Sequence, residues 1–391
     1  MKALIVGGGI GGLGAAIALR LHGWSVSVFE QALALTEIGA GLQISPNGWR
    51  VLEALGVVEH LADTLFEPEA IEMRFGTSGR TVFRLPMKGY ARQRWGAPFV
   101  HVHRADLVDA LAKRLAVLAP DALHLGQSVA GYAADGALAF EDGSHATGDM
   151  VVGADGLHSV IRTQMHGPDR PRFTGNVAWR AVVPMTDLTH PPPPTACVWV
   201  GHKRHAVTTR LRAGKLANFV GMVEQAEPAP EGWRIEGDRK EADADFAGWS
   251  PVIAGLIDKA PTLNRWALFD RSPLSHWHEG CVTLLGDAAH PMLPSMAQGA
   301  VQALEDGWTL AVCLTGAPSI EAGLQLYFDN RIARTARIQT GSAANARMFH
   351  KASPIGTVGF YGPMAVAARI APGKIHARQD WVYRHDVTAA S

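Results

Sequence analysis

The 391-residue sequence has no excess of either charge: 36 lysines and arginines face 36 aspartates and glutamates. A chain without a long-range field does not advertise a nucleic acid or a membrane surface as partner, so a small ligand is expected. Cysteine is scarce. Cys197, Cys281 and Cys313 lie far apart in apolar sequence, with no CxxC pair and no even count, which excludes a disulfide framework and reads as buried free thiols in a reducing cytoplasm. A membrane-spanning run is missing too. Residues 3–19, ALIVGGGIGGLGAAIAL, carry no charge, but they fall short of the ~20 residues a span needs, contain six glycines and precede no small-residue cleavage pattern. No repeat or low-complexity tract stands out. His290 has no partner at ligand spacing, so no metal is expected.

Single hydrophobic cores stop growing at about 250–300 residues, so two lobes are expected. Lys2 to Val6 is a short apolar run that stops at glycines, as a buried parallel strand does. A small-residue helix follows from about Gly11 to His22, with Gly23 at its C′ position, and Ser25 to Phe29 is a second strand ending at Glu30. Asp149 to Gly153 and Cys281 to Leu285 read as further strands, the former followed by a helix near Ser159 to Arg162. Between about Pro171 and Pro273 the texture changes to Val182-Val183, Val198-Trp199-Val200, Ala206 to Leu211 and Phe219 to Val223, which read as strands, with PPPP at 191–194 as an irregular connector. Beyond Thr309 the chain is mostly helical, with a Gly/Pro-rich tail after Pro354.

Gly7-x-Gly9-x-x-Gly12, with Gly11 inside it and Ala16 four residues on, has the spacing of a dinucleotide fingerprint. Its glycines supply a tight turn, close approach of backbone to pyrophosphate, and close packing of helix on strand. The helix start offers unpaired N–H groups to phosphates. Glu30, followed by Gln31, ends the next strand 18 residues after Gly12, where an acid accepts hydrogen bonds from an adenosine ribose. NAD and FAD fit this unit equally well.

The segment GDAAHPMLPSMAQGA, residues 286–300, separates them. FAD is long, and its ribityl chain and isoalloxazine extend beyond the first strand–helix unit. Asp287, directly after a strand, is suited to accept hydrogen bonds from ribityl hydroxyls in the crevice beyond the strand ends. Pro291 and Pro294 fix φ through the loop, and a helix is expected to start at Gln298-Gly299-Ala300. The N-terminus of such a helix carries roughly half a positive charge and stabilises an anionic reduced flavin by about 1–2 kcal/mol.

Together with Gly153-Ala154-Asp155-Gly156 and Gly286 to Pro291, the fingerprint resembles the three landmarks of the class A flavin-dependent aromatic monooxygenases, of the p-hydroxybenzoate hydroxylase type. The phrases Gly39-Ala40-Gly41-Leu42-Gln43-Ile44-Ser45-Pro46-Asn47, His103 to Leu107 and Met296 to Gly299 are most similar to the salicylate and 6-hydroxynicotinate hydroxylase branch. The resemblance implies an α/β fold: a Rossmann-like FAD-binding domain (1–75, 100–170 and 274–350), an inserted sheet-rich substrate domain (76–99 and 171–273) and a helical C-terminal region (351–391). It also implies that Arg104 and Val129 touch FAD and that Asp155 lies near the pyrophosphate and a transient nicotinamide site.

With one dinucleotide fingerprint in the chain, NAD(P)H is expected to visit and leave. The resemblance implies that reduced FAD takes up O2 as a C4a-hydroperoxide and delivers one oxygen to an activated aromatic ring. Related enzymes carry a histidine where Gln43 stands, a tyrosine near Thr208 and Thr209, and a histidine about where Ser295 stands. Gln43, Arg204 and His205 are therefore the candidate catalytic residues, with Trp179, Arg204 and Thr209 as candidate substrate contacts. Arg204 resembles an arginine placed near flavin and substrate, suited to hold a carboxylate bidentately. A cytoplasmic monomer or homodimer is expected. A flavin oxidase or dehydrogenase drawing electrons from its substrate, and a non-catalytic redox-sensing flavoprotein, are the alternatives.

Overall fold

The computed structural model describes residues 1–35, 41–133, 135–168, 171–227, 235–350 and 357–389. Gly39, Ala40 and Pro354 lie outside the described residues. Lys2–Val6 sits inside a six-stranded sheet, between Met150–Gly153 and Ser25–Glu30, with Val282–Leu284 and Leu123–Leu125 further out, all parallel. Only the edge strand His278–Glu279 runs antiparallel. These strands are nearly continuous apolar runs because helices cover both faces of a parallel sheet. Their common direction has a consequence for the ligand: Gly7, Glu30, Ala154 and the Gly286 segment all emerge at one edge of the sheet.

The helix Ile10–Leu21 is buried along most of its length and ends at Gly23, whose φ of +88° is the left-handed conformation that suits glycine. It packs directly on the helix Gly299–Gly316. A β-carbon at Gly11 would stand 2.9 Å from Leu285 Cδ2 and 3.2 Å from Ala303 Cβ, and one at Gly14 would stand 2.9 Å from Leu304 Cδ2. The fingerprint helix and the helix after the Asp287 loop therefore pack as one layer.

The second lobe is a seven-stranded sheet in the spatial order Asn264–Asp270, Arg172–Pro184, Leu216–Glu224, Arg204–Leu211, Ala196–Val200, Ala70–Phe75 and Thr81–Pro86. Neighbours are antiparallel except Ala196–Val200 with Ala70–Phe75. The sheet thus begins at Ala70, inside the segment 1–75 expected in the FAD-binding lobe. Glu72 and Arg74 hide that strand in the sequence; in the fold Glu72 is buried because Arg74, Thr81 and Thr195 all donate to its carboxylate. One face of the sheet is roofed by the helices Arg239–Asp245 and Pro251–Asp258, enclosing Trp179, Trp199, Phe219, Phe246, Trp249 and Ile253. The opposite face looks toward the first lobe, where Met222, Trp266 and Leu268 cluster with Leu293 of the proline loop.

Short helices at Gly362–Ile370, Pro372–His376 and Asp380–Tyr383 follow the long helix Ile320–Phe349. They are tied down: Asp380 accepts from Arg94 at 2.9 Å and from the Trp95 indole at 2.8 Å. No helix among the described residues is long and apolar enough to cross a membrane.

Candidate active site

The glycine turn fits an extended anionic ligand. Gly7 has φ of +104°, and a β-carbon there would lie 2.5 Å from the Ala154 carbonyl oxygen, so the turn rests directly on the Ala154-Asp155 segment. A β-carbon on Gly12 would collide with the Gly7 carbonyl oxygen, whereas one on Gly9 meets no atom within 4 Å. Gly9 is thus the glycine that faces open space. It is also the N-cap of Ile10–Leu21, which has no side-chain cap and no acid in its first turn, leaving the helix N–H groups to a phosphate. The Glu30 carboxylate accepts from Gly8 N at 2.7 Å and Ala32 N at 2.9 Å, which fixes its position at the strand end. Gln31 is exposed beside it. Val129 is buried on the strand Val129–Tyr132, and the turn before that strand hooks onto this corner through Gln127 N donating to Glu30 O at 2.9 Å.

Asp155 is more structural than its sequence position implies. Its carboxylate accepts from Ser159 Oγ at 2.6 Å, Val160 N at 2.8 Å and Ile161 N at 3.3 Å, capping the helix Val160–His166. Burial raises its pKa, and these hydrogen bonds oppose the rise.

Asp287 is open to the crevice, yet the surrounding protein desolvates it enough to raise its pKa, while the charges of His290, Arg104 and Arg162 pull the other way. Arg104, at the start of the helix Arg104–Leu118, is in this way brought to the Asp287 carboxylate from a distant part of the chain. The β-position of Gly299 lies 3.9 Å from Asp287 Oδ1. Gly299 and Ala300 open a helix with no side-chain cap and no acid in its first turn, as Gly9 does for the first helix. Pro294 begins a short turn that ends at Ala297, a non-glycine residue held at φ of +51°. Such a conformation costs on the order of 1 kcal/mol and persists where surrounding structure enforces it.

The enforcing structure is a buried polar network. Gly286 N donates to Asp306 Oδ2 at 3.1 Å, and His290 Nε2 lies 2.6 Å from the same oxygen, so His290 anchors the loop. Gln298 Nε2 donates to Ser45 Oγ at 2.9 Å, and its carbonyl accepts from Asn47 Nδ2 at 3.1 Å. Arg331 donates to both Asp306 and Glu305 at 2.7 Å, and Arg162 donates to Ala288 O at 3.2 Å. These residues hold the loop rigid from beneath. Single-residue motifs do not reveal them; the signal available is the run of polar residues at helical spacing on an otherwise apolar helix, Gln298, Gln302, Glu305 and Asp306.

The candidate substrate residues divide by strand alternation. On Arg204–Leu211, Arg204 and Thr208 face the roofing helices: Arg204 donates to the Asp245 carbonyl, and Thr208 accepts from the Trp199 indole at 3.0 Å. Trp179 is fully buried on that side, its indole donating to Asp245 Oδ2 at 2.7 Å. Arg204 and Trp179 are thus turned away from the first lobe, contrary to expectation, because the register of their strands points them into the helix-covered core. His205 and Thr209 face the other way. Thr209 accepts from Asn218 Nδ2 at 3.2 Å, and Asn218 Oδ1 accepts from Gly41 N at 3.0 Å, which brings the strand Gly41–Ile44, with half-buried Gln43, onto this face. Arg180 follows Trp179 and so lies on the same side as His205, its guanidinium 4.9 Å from the centre of the Trp266 ring.

A family model described as the FAD binding domain matches residues 1–342. The chain is 38% identical over 362 residues to 3-hydroxybenzoate 6-hydroxylase of Polaromonas naphthalenivorans, covering 90% of this chain and 88% of the relative. It is 34% identical to 6-hydroxynicotinate 3-monooxygenase of Pseudomonas fluorescens, covering 87% of this chain and 90% of that one. Among solved structures, Klebsiella pneumoniae HpxO in complex with FAD and uric acid superimposes with a TM-score of 0.82 at 28% identity, over 95% of each chain.

Proposed function

The chain belongs to the family of FAD-dependent aromatic monooxygenases, and on that premise we propose that it uses NAD(P)H and O2 to hydroxylate a small hydroxylated benzoate or heteroaromatic carboxylate. The observation that carries this reading is the pairing of two uncapped helix starts, those of Ile10–Leu21 and Gly299–Gly316, on the side of the sheet where Glu30 and Asp287 emerge, with Leu293 of the adjoining loop packed on the Met222 and Trp266 face of the second lobe.

When bound, FAD supplies the electron transfer and oxygen activation. The protein's part is binding, orientation and proton handling. Glu30 would accept from the adenosine ribose, the Gly9 turn would take the pyrophosphate, and Asp287 would accept from the ribityl hydroxyls. The N–H groups at Gly299 and Ala300, left without a side-chain cap, would stabilise negative charge on the flavin. Leu293, Met222 and Trp266 exclude water from the sheet side of the crevice. His205 takes the proton of the ring hydroxyl, which makes the ring more nucleophilic; a positioned base of this kind contributes about 10²–10⁴-fold. Arg180 takes the carboxylate in place of Arg204, and Thr209 and Gln43 line the same side.

Holoenzyme incubated with NADH or NADPH and a panel of hydroxybenzoates and hydroxynicotinates tests this reading. Coenzyme oxidation should accelerate with the right aromatic, and one atom of labelled O2 should enter the product. Bleaching of the flavin by substrate alone, without coenzyme, would overturn it in favour of an oxidase.

A further inference from the structure

We propose that residues 380–386 form a strap that positions the flavin loop through Arg334, so that seating of the strap and binding of FAD reinforce each other; the proposal rests on the placement of the flavin at residues 286–300 given above. The segment begins with the one-turn helix Asp380–Tyr383. A helix this short has no stability of its own and leaves its last carbonyls without partners inside the helix. Asp380 O accepts from Arg384 N at 2.9 Å, and the next carbonyls turn to arginines. Arg334 donates to Trp381 O and Val382 O, each at 3.1 Å, and Arg50 donates to Tyr383 O at 3.0 Å and His385 O at 3.2 Å. Cations at that end also complement the helix dipole. At the other end Arg94 pairs with the Asp380 carboxylate, and the Arg337 guanidinium lies 3.8 Å from the centre of the Trp381 ring. The arginines come from three separate helices, Pro46–Ala54, Tyr90–Trp95 and Ile320–Phe349.

Two routes lead from the strap to the flavin loop. The first is polar. The Arg334 guanidinium that holds the Trp381 and Val382 carbonyls also donates to both oxygens of Glu305, at 2.8 and 2.9 Å. Glu305 Oε1 accepts from Asn47 Nδ2 at 2.7 Å, and the same amide donates to Gln298 Oε1 at 3.1 Å. Gln298 is the N-cap of Gly299–Gly316, the helix whose start is assigned to the flavin. The Glu305 side chain is 1% exposed and that of Arg334 9%, so these charge-assisted bonds are little screened by solvent. The second route is apolar. Val382 and Tyr383 are buried in one cluster with Trp95 and with Ala196 of the second-lobe sheet, and Met296 of the flavin loop packs against it. Met296 precedes Ala297, the residue held at φ of +51°, so a seated strap helps to enforce that conformation. The strap thus touches both lobes and the loop between them. Ordering the loop around FAD lowers the cost of ordering the strap, and the converse holds by linkage.

Amide hydrogen exchange of the full-length protein, read by mass spectrometry with and without FAD, tests the coupling. FAD should slow exchange at residues 286–300 and also at residues 380–386, by about 10-fold at the strap, a factor common for coupled sites. The variant Asp380→Ala cuts the strap's ties to Arg94 and Trp95 and removes none of the groups assigned to FAD. By reciprocity it should weaken FAD binding in a flavin titration by up to about the same 10-fold, and lower the Tm of the FAD-bound protein more than that of the apoprotein. A merely structural tie would lower both Tm values equally. Where Asp380→Ala folds poorly, the exchange of wild type decides alone. Exchange slowed at the loop but unchanged at the strap, or equal losses of Tm with and without FAD, overturns the strap and leaves the flavin placement standing; exchange slowed at neither segment overturns the flavin placement and the strap together.

Discussion

Gly307 and Ala15 lie back to back: a β-carbon on Gly307 would stand 2.9 Å from the Ala15 amide nitrogen and 3.2 Å from its Cβ. They belong to the two helices whose N-termini border the crevice, so this contact sets the spacing between the pyrophosphate end and the flavin end of the site. Gly307→Val should force the helices apart at a cost of about 1–3 kcal/mol, lowering both Tm and the FAD retained per protein. Gly316→Ala, on the same helix but with nothing within 4 Å, should leave both unchanged. Equal behaviour of the two variants would show that helix spacing does not govern the site.

Asp287→Ala removes the only side-chain acceptor proposed for the ribityl chain while leaving the loop anchors Gly286, His290 and Gln298 in place. Hydrogen bonds to a charged group contribute about 1.5–3 kcal/mol, so FAD Kd should rise roughly 10- to 100-fold. Flavin absorbance of the purified protein and titration with FAD measure it. Normal flavin retention would remove Asp287 from the cofactor site.

The FAD lobe was legible because its chemistry is local. Lys2 to Glu30 contains strand, turn, helix, strand and a terminal acid in one unbroken stretch, and the structure reproduces the three elements within a residue or two. The place of Asp287 just beyond a strand end was legible because it follows an apolar run and precedes prolines. The substrate side was not, because a one-residue shift along a strand reverses the face. Arg204 and His205 are neighbours in sequence, and only the roofing helices Arg239–Asp245 and Pro251–Asp258 decide that Arg204 faces the helix-covered core and His205 the opposite face, beneath Phe349 and His350.

The anchor beneath the flavin loop predicts an acid dependence. Burial alone would raise the Glu305 carboxyl, but the Arg331 charge, with Arg334 and Asn47 hydrogen bonds, holds it down to about 2 from an ordinary 4.5. A depressed folded-state pKa means stability that is fully present above the unfolded value and is lost as pH falls through the window from 4.5 toward 2. Unfolding followed by circular dichroism across that window should show a steep loss in wild type and a shallower one in Glu305→Gln. Arg331→Met leaves Glu305 and Asp306 buried without their shared cation, which typically costs about 3–5 kcal/mol. A pH profile unchanged by Glu305→Gln would place the acid sensitivity elsewhere.

His205 and Arg204 give opposite predictions from adjacent positions. His205→Gln keeps a polar side chain of similar reach but cannot accept the ring proton and pass it on, so kcat should fall by about 10²-fold or more with KM little changed. Wild-type kcat should also be less sensitive to the intrinsic acidity of the substrate hydroxyl than the variant's, since the variant depends on phenol already ionised in solution. Arg204→Ala should leave KM for a carboxylated substrate and the coupling of coenzyme oxidation to product unchanged, because its guanidinium is engaged with the Asp245 carbonyl on the far side of the sheet. Its effect should be a lower Tm, from loss of that tie between strand and helix. Arg180→Ala should instead raise KM, and should do so for carboxylated rings more than for the corresponding simple phenols. A rise in KM with Arg204→Ala and none with Arg180→Ala would mean that the substrate approaches from the helix-covered face, and the assignment of the crevice would have to be reversed.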